Sequence, residues 1–156
     1  MKNKSDERLK AIHDRIKLFK AETAGKVEFH EVDSFGVVHN VRYFYWFERA
    51  RTEYIQTIGL ELNPELQRYH LPLMVAHSEA DYINPLRFNA EYRVLTRISK
   101  INRTSIEYEN IALSTDDTVI AVGSAVLVYL DMKTNKPDPI PDSLKKMIKD
   151  YESYDL

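Results

Sequence analysis

The chain of 156 residues contains no cysteine, and that absence removes several kinds of chemistry. Disulfides, thiol nucleophiles, zinc–thiolate sites and iron–sulfur clusters are all impossible. Glycine is nearly as scarce, with four in the whole chain. Neither Gly-x-Gly-x-x-Gly nor Gly-x-x-x-x-Gly-Lys-Ser/Thr occurs, which argues against both common nucleotide-phosphate loops. A Gly-x-Ser-x-Gly elbow is also missing, and this disfavours a serine hydrolase of that type. The histidines (His13, His30, His39, His70 and His77) show no His-x-x-x-His spacing, so no metal site is expected. No apolar run approaches the roughly 18–20 residues of a membrane span. The start, Met1 to Arg8, lacks the apolar core of a secretory signal, so a cytoplasmic protein with no membrane partner is expected. A net charge of −2 gives no reason to expect nucleic acid as a partner.

What remains is an ordinary globular composition, 44% hydrophobic and 29% charged, on a length that suits one domain with a real core. Residues 5–20 read as a polar helix with a narrow stripe of Leu9, Ile12, Ile16, Leu18 and Phe19. Ala24 and Gly25 interrupt it, and residues 1–24 are read as a helical extension to a domain spanning 25–156. Alternation from Lys26 to Asp33 predicts a strand. A loop through Gly36 leads to a helix from Asn40 to Ile58, with Gly59 where a helix-ending glycine belongs. Val41, Phe44, Phe47, Tyr54, Ile55 and Ile58 give that helix an apolar face. Tyr43, Tyr45 and Trp46 widen it until the first half is apolar nearly all round. Such a helix has to be central. Arg49 and Glu53 can pair one turn apart on its wet side.

The rest of the chain predicts strands over 73–83, 91–100, 105–114 and 119–131, then a terminal helix over 142–151. The connections at Asn102–Thr104 and Asp116–Asp117 are too short for anything but antiparallel neighbours. The expected fold is α+β: an antiparallel sheet of about five strands wrapped around one long helix. One helix cannot cover both faces and the edges of such a sheet, so a homo-oligomer is expected.

The chemistry concentrates at Asp33-Ser-Phe-Gly36-Val-Val-His39-Asn40. A carboxylate beside the start of a buried helix joins a base to backbone N–H donors that the helix leaves unsatisfied. That is minimal equipment for attacking a carbonyl and holding the oxyanion. The bland alternative is a helix-capping aspartate, worth about 0.5–2 kcal/mol. His39 carries an imidazole and is a candidate acid or orienting group, or simply a loop residue. Glu48 could support the loop or pair with Arg51 on the helix surface.

The stretch from Glu31 to Asn40, with Tyr43, Trp46, Phe47, Glu48, Arg49, Ala50, Arg51 and Leu60, resembles the 4-hydroxybenzoyl-CoA thioesterase branch of the hotdog-fold superfamily. Asp81 to Phe88 is similar to that family's second strand and following loop, and the likeness runs from about Val27 to Pro141. It implies an acyl-CoA thioesterase that uses no cofactor and acts on a small aliphatic or aromatic acyl-CoA, or on an acyl carrier protein thioester. Asp33 would be nucleophile or general base, and the N–H groups near His39 and Asn40 would polarise the carbonyl. The aromatic face, including Tyr43 and Trp46, would shape the acyl pocket. Lys100 and Arg103 would meet the phosphate end of CoA. The site would lie at the interface of a homodimer or homotetramer. Where many relatives have a histidine seven positions after the aspartate, this chain has Asn40. A non-catalytic acyl-thioester binding module and a hotdog dehydratase are the competing readings.

Overall fold

The computed structural model describes residues 4–60 and 71–153. Helix α1 (Lys4–Ile16) is followed by strand β1 (Ala21–Lys26), a short 3-10 turn (Phe29–Glu31) and helix α2 (Asn40–Thr57). Strands β2 (Leu73–Tyr82), β3 (Glu91–Ile101), β4 (Ser105–Ser114) and β5 (Val119–Asp131) come next. A two-residue strand β6 (Lys136–Pro137) pairs with the end of β5, and helix α3 (Asp142–Glu152) closes the described chain. The main sheet is antiparallel, in the order β1-β3-β4-β5-β2. It curls around α2 in the hotdog arrangement the sequence led us to expect.

Alternation along β4 shows how the sheet serves two cores. Tyr108 and Ala112 face α2, whereas Ile111 and Leu113 face the other side. On the inner side Val94, Ala112 and Ala121 pack against Tyr43, Trp46, Phe47 and Ala50 of α2. On the outer side Leu95, Ile111 and Leu113 receive Ile12, with Leu9 and Ile16 beside it. The spacing of those three residues puts them on one face of α1, so the first helix is a cover for the outer sheet face. Arg8–Asp81 and Arg15–Glu109 ion pairs fix its edges.

Two expectations need correction. Helix α1 ends at Ile16 instead of residue 20, because the backbone turns there, with Leu18 N–H bonded to Arg15 O and Phe19 N–H to Ile16 O. The first strand is Ala21–Lys26, not Lys26–Asp33. Its register pairs Gly25 with Tyr92, and a Cβ at Gly25 would lie 2.4 Å from that ring. The glycine that looked like a break is there because an aromatic ring lies on the strand. Residues 28–31 instead form a turn closed by a reciprocal capping box between Glu28 and Glu31.

Helix α2 falls where it was expected, and Gly59 follows it at φ +97°, a conformation that suits glycine. Arg49 pairs with Glu53 at 2.9 Å, and Glu53 also accepts from the Thr23 hydroxyl at 2.5 Å, tying the helix to β1. Within one chain the helix is covered on fewer sides than its aromatic sequence suggested, since Val41 and Tyr45 remain exposed. At the far end α3 packs Leu144 and Ile148 against Tyr54 and Ile98. Its buried Glu152 accepts from the Tyr54 hydroxyl at 2.7 Å and from Ile98 N–H at 2.8 Å. No helix among the described residues is long and apolar enough to cross a membrane.

Candidate active site

The loop before α2 folds back on itself. Val32 bridges Val38, Asp33 N–H donates to Val37 O at 2.9 Å, and Gly36 N–H donates to Asp33 O at 3.0 Å. Gly36 turns the chain at φ +72°, where an L side chain would be strained. Val38 N–H bonds Leu86 O and Val37 bridges Arg87, so the loop is sewn to the segment that enters β3. Asp33 is half-buried in this frame. Its Oδ1 accepts from Phe35 N–H at 2.8 Å, an Asx turn that fixes the carboxylate's direction. Among the described residues no donor satisfies Oδ2.

His39 is the N-cap of α2, and its Nδ1 accepts from Val41 N–H at 3.3 Å. Its own backbone N–H is spent on Glu31 O at 2.8 Å, and its carbonyl takes Arg42 N–H. Neither its ring nor its amide therefore bonds Asp33. Of the N–H groups expected to hold an oxyanion, the one without a partner among the described residues is that of Asn40. The Asn40 carbonyl accepts from the Tyr82 hydroxyl at 3.1 Å.

Tyr43 and Trp46 sit one turn apart on α2 with ring centroids 5.0 Å apart, and they border different clefts. A cleft of about 280 Å³ runs past Asn40 and is walled by Val37, Tyr43, Tyr82 and Pro85. Tyr43 and Tyr82 pack with ring centroids 5.3 Å apart. Burial, with Tyr82 adding to it, pushes the Tyr43 hydroxyl up to about 12, so it stays protonated at neutral pH. Trp46 stacks on Tyr92 at 3.8 Å and borders a second, open cleft with Tyr45, Phe29 and Phe88.

Lys100 and Arg103 are not near Asp33 within one chain. β3 begins opposite Lys26, close to the loop, and ends at Ile101. At about 3.3 Å per residue, its length carries Lys100 roughly 30 Å away. There Lys100 pairs with Glu107 at 3.5 Å, and Arg103 is exposed.

Two neighbours of Asp33 take roles that the sequence did not assign them. Glu31 is buried, with Oε1 accepting from Trp46 Nε1 at 2.7 Å and Oε2 from Glu28 N–H at 2.9 Å. It pins the loop to α2, and the Glu28-x-x-Glu31 spacing was the available signal. Arg87 is exposed, and its guanidinium passes 3.7 Å from where a Gly36 Cβ would stand. No ion pair engages it among the described residues. Its separation from Asp33 in sequence hid it. No cluster of His, Asp and Glu capable of holding a metal occurs among the described residues.

Known proteins resemble this chain over most of its length. An acyl-CoA thioesterase, YbgC, of Haemophilus influenzae is 27% identical over 120 residues, covering 77% of this chain and 88% of its own. A chloroplastic acyl-acyl carrier protein thioesterase, ATL2, of Arabidopsis thaliana is 28% identical over 132 residues, covering 84% of this chain and 69% of its own. The crystal structure of a thioesterase complexed with coenzyme A and Zn, from Thermus thermophilus, superposes with a TM-score of 0.77 at 28% identity. That superposition covers 88% of this chain and 98% of the other. The family model of the thioesterase-like superfamily matches residues 27–148, well over half the chain, and the protein belongs to that superfamily.

Proposed function

We propose that the protein hydrolyses acyl-CoA thioesters to the free acid and CoA, with Asp33 as the reacting carboxylate. The observation that carries this reading is the Asp33 loop itself. One carboxylate oxygen is fixed by Phe35 N–H, the other has no donor among the described residues, and α2 begins a few residues away with Asn40 N–H unpartnered among them. Asp33 takes a proton from water as the water oxygen bonds the thioester carbon. The carbonyl oxygen then carries the charge, which Asn40 N–H and the helix N-terminus stabilise. Collapse breaks the carbon–sulfur bond, and the proton returns to the departing thiolate. Direct attack by Asp33, followed by hydrolysis of the anhydride, uses the same atoms. His39 orients the helix start, and Tyr43 walls the cleft where the acyl group enters. Arg87 supplies a positive charge close to the loop for the phosphates of CoA.

We further propose that the protein works as a homo-oligomer. Strand β2 is an edge of the main sheet with Met74, Val75 and Tyr82 exposed, and α2 leaves Val41 and Tyr45 exposed. An open edge flanked by apolar side chains favours pairing with a second copy. Lys100 and Arg103 can then act on CoA only if a second chain brings them to the loop.

Thiol release from a panel of aliphatic and aromatic acyl-CoAs tests the activity. Asp33→Asn should lower turnover at least ~100-fold, the usual worth of a positioned base. Its thermal unfolding should stay within a few degrees of wild type. Full activity in that variant would remove Asp33 from the mechanism, and no release from any thioester would leave a binding module.

A further inference from the structure

A third cleft, of about 160 Å³, opens between the C-terminal half of α2 and the inner faces of β2, β4 and β5. Its walls are apolar, with Leu73, Val75 and Leu127 among them, but its polar members are unusual. Tyr108 is 1% exposed, and its hydroxyl has no hydrogen-bond partner among the described residues. Arg51 is 9% exposed, and among the described residues its guanidinium forms no ion pair or hydrogen bond. A buried hydroxyl and a buried cation that each lack a partner cost stability, typically about 1–3 kcal/mol for the hydroxyl and more for the charge.

The two groups act on each other. Burial pushes the Tyr108 hydroxyl upward while the Arg51 charge pulls it the other way, and burial lowers Arg51 while Tyr108 and Glu48 raise it. At neutral pH one is a neutral donor and the other a cation. Glu48 stands exposed at the cleft's edge and forms no ion pair with Arg51. A cleft with two buried donors, one of them charged, and a hydrocarbon wall calls for an anionic acceptor on an apolar stem. A water molecule would satisfy the hydroxyl and leave the guanidinium without a hydrogen-bonded anion.

We propose that this cleft is a binding site for a carboxylate on a short hydrocarbon chain, held by Arg51 and Tyr108. The ligand has two sources, a free short-chain acid or the far end of a dicarboxylic acyl thioester. The second rests on the hydrolase reading above, and the first does not.

The experiment uses the full chain and Tyr108→Phe, which removes a hydroxyl that bonds nothing among the described residues and should unfold no earlier than wild type. Butyrate should raise the melting temperature of the wild type saturably, and butyramide should not. Tyr108→Phe should weaken butyrate binding about tenfold or more, the worth of one hydrogen bond to a charged group. In Asp33→Asn the butyrate effect should persist, so loss of hydrolysis does not bear on this site. In the second arm, sebacyl-CoA and decanoyl-CoA are compared as substrates, because Arg51 lies roughly 16 Å along α2 from Asn40. If Tyr108→Phe lowers kcat/KM for sebacyl-CoA about tenfold and spares decanoyl-CoA, the cleft reads the far end of the acyl group. Absence of both effects, or equal responses to butyrate and butyramide, overturns the proposal.

Discussion

Removing the Glu31 carboxylate should damage the protein twice, once in stability and once in turnover. Glu31 holds two donors, Trp46 Nε1 at 2.7 Å and Glu28 N–H at 2.9 Å, and it is 9% exposed. Trp46 is buried, so in Glu31→Ala its N–H loses its acceptor. A hydrogen bond to a charged group is worth about 1.5–3 kcal/mol, and an orphaned buried donor loses all of that. The Glu28 amide lies nearer solvent and recovers part of its loss. The sum is about 2–5 kcal/mol. For a chain of this size about 1 kcal/mol moves the melting temperature by roughly 2–4 °C, so Glu31→Ala should melt some 4–20 °C lower. Glu31→Gln keeps one acceptor oxygen and turns an amide N–H toward the other donor, and should fall between wild type and alanine.

The pair can be isolated from its surroundings. Trp46→Phe deletes the donor while keeping a ring to stack on Tyr92. In that background Glu31→Ala should cost about 1–2 kcal/mol less than in wild type, a coupling a double-mutant cycle resolves. Since Glu31 O also accepts His39 N–H, a displaced Glu31 shifts the helix cap and the Asp33 loop with it. Turnover should therefore fall at low temperature, where Glu31→Ala is still folded, with KM little changed. A melting temperature within about 2 °C of wild type, or zero coupling to Trp46, would refute the argument.

Alkaline pH should destabilise the fold through its buried tyrosines. Burial raises Tyr43 and Tyr92 to about 12 from an ordinary 10.0, so the stability they confer is intact below pH 10 and lost toward pH 12. Each contributes on the order of 2–3 kcal/mol to that loss, and Tyr92→Phe should flatten the fall of melting temperature across that window. Gly123→Ala should lower the melting temperature, because the added Cβ would stand 2.4 Å from the Phe47 ring, and overpacking of this kind costs about 1–3 kcal/mol. If the phosphates of CoA are held by a second chain, mixing inactive Asp33→Asn with a weak-binding Lys100→Ala/Arg103→Ala double variant should restore part of the activity. Activity no greater than the two proteins measured separately would place those cations outside the site.

The elements that could be read from the sequence are those built from local signals. β4 and β5 have the bounds read from the sequence, because short polar turns fix where each strand stops. Asp117, in the turn between them, adopts a φ of +64°. Helix α2 was legible for a similar reason, with a glycine at its end and an apolar face along its length. β1 was not. Ala-Glu-Thr-Ala-Gly-Lys has little intrinsic preference for a strand, and β3, some seventy residues away, makes it one. The alternation in 26–33 that mimicked a strand serves another purpose: Val27 goes into the core and Glu31 into a capping box.

The same division runs through the candidate site. Asp33, Gly36, His39 and Asn40 lie within eight residues and could be read as a unit. Glu31 and Arg87 acquire meaning only when the turn and the segment before β3 close around that unit. His39 shows why proximity in sequence is a weak guide to chemistry. Its residue type suggested a titrating partner for Asp33, and the backbone gave it the end of a helix instead, with its ring and both its peptide groups already engaged. The open N–H at Asn40 follows from that arrangement, since a cap that occupies Val41 and Arg42 leaves the amide before them for a ligand. If the carbonyl oxygen of a thioester takes that position, the helix start is complete only when substrate is bound. The unpartnered donors at Tyr108 and Arg51 repeat this pattern at the other end of α2. In both places the fold leaves a hydrogen-bonding demand that nothing in its own described residues meets.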